Sequence, residues 1–178
     1  MANQIRGKYH TVKVTPTSYA GSAADGKIVF APTEIPNACY PGGTSILKTI
    51  RVFDKDDHGA DLELLFFETK PTVEALGATA VKFTAAGGNN TDALVQAANP
   101  LGVEVIDVNG SNTVALDHTD NQTYIQGSVD LFVSSNPSQS AVDDGTGVPG
   151  SIYVMGISTT TKTYTASSYT FEFIFETY

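Results

Sequence analysis

The eleven residues 168–178, SYTFEFIFETY, alternate in character: Tyr169, Phe171, Phe173 and Phe175 are interleaved with Thr170, Glu172, Ile174 and Glu176. A period of two puts the aromatics on one face of an extended strand and the remaining side chains on the other. Each aromatic can bury about 150–250 Å². The row therefore reads as half of a core whose other half must come from a second sheet.

The same signal recurs at lower amplitude along the chain. Strands are expected near residues 9–14, 27–31, 46–53, 61–68, 103–108, 113–117, 123–126, 129–134, 151–158 and 169–177. Turn formers separate them: Asp25-Gly26, Pro41-Gly42-Gly43, Gly87-Gly88-Asn89-Asn90, Asn109-Gly110 and the run DDGTGVPG at 143–150. Many short strands without a sustained helical stripe predict an all-β fold, an antiparallel β-sandwich of jelly-roll-like kind in a single domain. At most one short helix fits, over 91–98, with Thr91 as its N-cap and Pro100 ending it. Residues 1–25 read as an N-terminal arm and first strand, and residues 26–178 as the sandwich domain. At 178 residues, a chain can bury roughly 70% of its unfolded surface, enough for a real core.

The stretch RVFDKDDHGADLELLFF, 51–67, poses a choice between a metal site and a turn. Asp54, Asp56, His58 and Gly59 fall at positions one, three, five and six of a calcium loop, but position twelve is Leu65, where a bidentate Glu is required. The flanks are β-branched and apolar rather than helical. A solvated hairpin loop is the expectation, with the charges holding the connection out of the core. Asp54, Asp56, Asp57 and Asp61 are the residues a cation would use if one bound. In the strand that follows, Leu62, Leu64 and Phe66 share one face while Leu65 and Phe67 take the other. That second apolar face must be covered by a loop or by another subunit, which makes Leu65 and Phe67 interface candidates.

Charge and composition exclude several functions. A net charge of −9 with only ten Lys and Arg residues opposes binding to nucleic acid or to an anionic membrane. No window has the length and apolarity of a membrane span, and MANQIRGKYHTVKV lacks the apolar stretch of a secretory signal, so synthesis in the cytoplasm is expected. Cys39 is the one cysteine, which rules out an intramolecular disulfide and a cysteine-based zinc site. Catalytic patterns are missing: there is no H-E-x-x-H, no G-x-S-x-G and no phosphate-binding glycine loop, and His10, His58 and His118 are far apart in sequence. His118 has Asp117 and Asp120 beside it, yet the run reads as a polar loop. No catalytic residue and no cofactor is expected. Arg6, Lys8 and Lys13 cluster near the front of an otherwise acidic chain, so an arm carrying Arg6 and Lys8 is a candidate for docking on an acidic partner.

The combination TSILKTIRVFDKDDHGADLELLFFETKPT at 44–72, a Gly/Pro-rich final third and the closing YTFEFIFETY resembles small all-β virion proteins of tailed bacteriophages, in particular capsid decoration or cement proteins. The resemblance implies a structural role without catalytic residues. It also implies trimeric association, the major capsid protein as partner, and a place on the exterior of the head after synthesis in the host cytoplasm. A tail, neck or fibre component is the alternative, as a β-sandwich binding module of carbohydrate-binding type. That reading requires exposed aromatics on one concave face, for which Tyr9, Tyr19, Tyr40, Tyr124, Tyr153 and Tyr164 are the candidates.

Overall fold

A computed structural model describes residues 7–73, 75–78, 99–108, 110, 113–118, 121–135, 148–166 and 168–177. The described residues form an all-β, antiparallel sandwich and contain no helix; the helix expected over 91–98 lies outside them. The strands are β1 (Lys8–Val14), β2 (Gly21–Ala23), β3 (Ile28–Ile35), β4 (Thr44–Asp54), β5 (Leu62–Phe67), β6 (Pro100–Ile106), β7 (Thr113–His118), β8 (Asn121–Gln126), β9 (Leu131–Ser134), β10 (Ile152–Ser158), β11 (Lys162–Tyr164) and β12 (Tyr169–Thr177). The unexpected pair, β2 with β11, is only three residues long on each side, too short to show alternation.

The larger sheet runs β1-β12-β4-β8-β7, with β9 also pairing β4. β4 is long enough to carry two neighbours on one edge: β8 pairs with Ile50 to Asp54, and β9 with Thr44 to Leu47. The smaller sheet runs β3-β10-β5-β6. β3 continues through Pro32 to Ile35, farther than the sequence suggests. Pro32 has no N–H for a ladder, but β3 is an edge strand, and Ala31 and Pro32 together oppose Met155 in a bulge. β1 pairs with β12 at the edge of the larger sheet, while β2 pairs only with β11, in a two-stranded sheet of their own.

The two sheets meet through the aromatic row. Tyr169, Phe171, Phe173 and Phe175 are fully buried. Phe171 packs on Phe30 with ring centroids 5.2 Å apart, and Phe173 meets Phe66 edge-on at 5.9 Å. Gly156 lies where a Cβ would come within 2.1 Å of the Phe30 ring, so a glycine there lets that ring lie flat in the interior.

Two expectations fail at the connection between β4 and β5. It is no hairpin: β4 lies in the larger sheet and β5 in the smaller one, and residues 55–61 carry the chain across the sandwich. Nor is the connection wholly solvated, because Asp54 is fully buried. Alternation identifies strands but not their partners, and here both strands pair with segments distant in sequence, β4 with β12 and β5 with β10.

Of the two covers expected for Leu65 and Phe67, a loop or another subunit, the structure shows cover from within the chain, and the subunit alternative falls away. Both are buried within one chain, in a second cluster with Ile28, Tyr153, Met155 and Ile157 on the outer face of the smaller sheet. Val73 and Leu76 pack against that cluster. The segment carrying them is tied to the β3 edge: the Gly77 N–H donates to the Ile28 carbonyl (2.9 Å), and the Ile28 N–H to the Ala78 carbonyl (3.0 Å).

Candidate functional site

The polar residues of 54–61 organise the crossing. Asp54 Oδ1 lies 2.8 Å from His58 Nδ1 and accepts the Asp56 N–H at 3.3 Å, while Oδ2 accepts the Gly59 N–H at 3.1 Å. The His58 ring is buried between Tyr164 and Tyr169, at centroid distances of 5.4 and 5.6 Å. Asp57 and Gly59 adopt positive φ, 51° and 55°, which Asp and Gly tolerate better than most residues. The four aspartates diverge. Asp56 is exposed and accepts a hydrogen bond from the Thr165 hydroxyl, Asp57 is exposed, and Asp61 Oδ1 accepts the Val108 N–H at 2.9 Å. Among the described residues, no three His, Cys, Asp or Glu side chains converge on a point where a metal could sit.

The histidines do not converge either. His10 stacks on Phe175 and donates Nε2–H to the Asn37 carbonyl at 2.9 Å, far from the His58 cluster, and the His118 side chain lies outside the described residues. Cys39 is buried, and desolvation pushes its thiol above the usual range, which disfavours the nucleophilic thiolate.

Around His58, burial also pushes the hydroxyls of Tyr164 and Tyr169 above the usual tyrosine range, and the nearby Asp54 carboxylate adds to both shifts. Below about pH 10 these groups are neutral whether the chain is folded or not, so they give stability no pH dependence. At higher pH the unfolded chain loses phenolic protons that the folded chain keeps, and stability falls as pH rises. Urea unfolding followed across the alkaline range should show this slope, and the double variant Tyr164→Phe, Tyr169→Phe should flatten it. An unchanged slope in the double variant would refute the assignment.

Among the described residues, the outer face of the larger sheet carries several of the exposed apolar side chains. Register assigns its rows, because directly paired residues share a face. One row is Lys13, Glu172, Arg51, Ile125 and Val114, the next is Thr170, Phe53, Thr123 and Leu116, and a third is Tyr9, Glu176, Ile46 and Phe132. At the centre the charges satisfy one another: Glu172 lies 4.0 Å from Lys13 and 3.4 Å from Arg51, and the Lys13 ammonium sits 5.6 Å above the Phe53 ring. At the flank the face is apolar, with Val114 60%, Leu116 50% and Phe132 60% exposed. β7 is the last strand of this sheet and has neither Pro nor a bulge; Asp117 is its one carboxylate-bearing residue. Val103 and Val105 on β6, the edge of the other sheet, add two more exposed apolar side chains.

A groove of about 370 Å³ opens where the start of β1 approaches the loop joining β3 to β4. Tyr9 and Tyr40, 64% and 59% exposed, both line it. Of the other tyrosines considered for an aromatic platform, Tyr124, Tyr153 and Tyr164 are buried and Tyr19 is half-buried, so the six do not form one face. Lys8 also lines the groove from the first residue of β1, while Arg6 lies outside the described residues. The exposed flank and the groove were not legible beforehand: T-V-A-L shows alternation but not which face stays open, and the groove joins residues that only folding brings together.

No family model matches the chain, and no curated protein matches it in sequence.

Proposed function

We propose that this chain is a structural virion protein of a tailed bacteriophage, a capsid decoration or cement protein that binds the outer surface of the head and ties neighbouring major capsid subunits together. The observation that carries the proposal is the outer face of the larger sheet, where Val114 and Leu116 on the edge strand β7, and Phe132 on β9, present apolar side chains to solvent. Exposed apolar side chains on one sheet face suit a protein interface. The resemblance of 44–72 and 169–178 to decoration proteins supplies the class of partner. Made in the host cytoplasm and placed on the capsid exterior, the protein acts without a catalytic step or a cofactor. Trimeric association belongs to the same proposal and rests on the resemblance alone, because the chain itself covers Leu65 and Phe67.

The copy number in purified particles, measured by quantitative mass spectrometry against the major capsid protein, tests this role. Abundance comparable to that of the capsid protein supports decoration. Presence at a small fraction of it moves the chain to the tail, neck or fibre, and absence from particles refutes the proposal. The docking face has its own test. Charge placed on it by Val114→Glu, Leu116→Glu or Phe132→Glu should abolish binding to particles lacking the protein. Because these positions are exposed, unfolding free energy should change by no more than about 0.5 kcal/mol. Retained binding by all three variants would rule this face out.

A further inference from the structure

The groove beside β1 has the construction of a small-ligand site, and it shares Tyr9 with the outer face of the larger sheet. Its volume, about 370 Å³, lies near the lower end of the range of about 300–1,000 Å³ typical of such sites. The loop carrying Tyr40 is held at successive residues. The Asn37 carbonyl accepts from His10 Nε2 at 2.9 Å, the Ala38 carbonyl from Ser45 Oγ at 2.7 Å, and the Tyr40 carbonyl from the Gly43 N–H at 2.7 Å and Ser135 Oγ at 3.1 Å. The Cys39 N–H donates to the Gly150 carbonyl at 2.9 Å. Gly150 has φ +88°, and a Cβ there would stand 2.3 Å from the Cys39 carbonyl oxygen, so only glycine fits this contact. Pro41 and Gly42 turn the chain next, with Gly42 at φ +67°, as a type II turn requires. A loop tied down this thoroughly would be expected to turn its large side chain inward. Instead Tyr40, like Tyr9, is exposed at the groove, and a loop held in this way has little ordering entropy left to lose on binding.

The lining chemistry selects the ligand. Among the described residues of the lining, Lys8 is the one Lys, Arg, Asp or Glu, although the chain as a whole carries −9. The two tyrosine rings offer apolar faces with a hydroxyl at the edge, and the Asn37 amide and the His10 ring add hydrogen-bonding groups. A pyranose has the matching form, a C–H face bounded by hydroxyls. We propose that this groove binds a neutral saccharide of about one to two rings, stacked on Tyr9 and Tyr40.

The test uses the full chain, isotope-labelled for amide NMR, titrated separately with maltose, cellobiose, lactose and diacetylchitobiose, and with decaproline as a probe for extended proline-rich peptides. At least one disaccharide should shift the amides of Lys8, Tyr9, His10, Asn37 and Tyr40, with a dissociation constant on the order of 1 mM or tighter. Tyr40→Ala and Tyr9→Ala should each weaken binding about tenfold or more and leave the remaining spectrum in place, since both side chains are exposed. The assignment is overturned if no disaccharide perturbs these amides, if the tyrosine variants bind as well as the parent, or if decaproline alone binds there. Particle copy number has no bearing on the result, so this site and the decoration role can fail separately.

Discussion

Replacing Asp54 by alanine should lower the free energy of unfolding by about 3–5 kcal/mol, because three hydrogen-bond donors lose their acceptor and each buried donor left unmet costs about 1–3 kcal/mol. The loss has three parts. His58 Nδ1, the Gly59 N–H and the Asp56 N–H all lose the carboxylate oxygens that now lie 2.8, 3.1 and 3.3 Å away. His58 is itself buried between two tyrosine rings, so water cannot readily replace its partner. Asp54→Asn keeps the shape and one acceptor oxygen, and should cost less, about 1–3 kcal/mol. Urea unfolding at neutral pH separates the variants. For a chain of this size the alanine variant should also melt about 6–20 °C lower. A loss below about 1 kcal/mol for Asp54→Ala would mean that the crossing from β4 to β5 is held by packing alone, since one ordinary hydrogen bond contributes about that much.

Phe173→Ala should cost a similar amount, about 3–5 kcal/mol, for a different reason. Phe173 is fully buried at the middle of β12, stacked on Phe171 at 5.8 Å and edge-on to Phe66 of the opposite sheet at 5.9 Å. Truncation removes the ring from both contacts and leaves a cavity that two rigid sheets cannot close. Ile174 is the internal control, being the next residue on the same strand but on the outer face and only half-buried. Ile174→Ala should therefore cost clearly less. Equal losses at the two positions, measured by the same denaturant titration, would contradict the assignment of the faces by register.

Those assignments show where the sequence is informative. The inward row Tyr169, Phe171, Phe173 and Phe175 could be read from alternation alone, because period two depends only on local backbone geometry. The all-β class followed from the same signal repeated between turn formers. Partner choice was not legible. The segments 46–53 and 61–68 are close in sequence and separated by turn residues, which is the appearance of a hairpin, yet β4 and β5 belong to different sheets. What distinguishes a crossing from a hairpin here is Asp54, whose carboxylate turns inward to receive the backbone of its own loop. Leu65 and Phe67 looked like a subunit interface because the eventual cover, with Val73 and Leu76, comes from a segment with no strand signature. The candidate surfaces were hidden for a related reason. Exposure at Val114, Leu116 and Phe132 is decided by the order of strands within the sheet, and the groove by a contact between β1 and a loop held through Gly150.

The position of β12 also bears on the order in which the fold can be assembled. It lies between β1 and β4, so the first described strand reaches the rest of its sheet only through the last one. Closing that ladder brings together residues separated by most of the chain, and folds dominated by such distant pairings reach the native state slowly, over about milliseconds to seconds. Until then the apolar side chains of β4, Leu47, Ile50 and Val52, have no aromatic strand beside them. Haste is what this topology forgoes: a chain in which a late strand joins an edge strand to the rest of its sheet passes through a long-lived stage with sticky, half-made edges, when holding chaperones or low local concentration matter most.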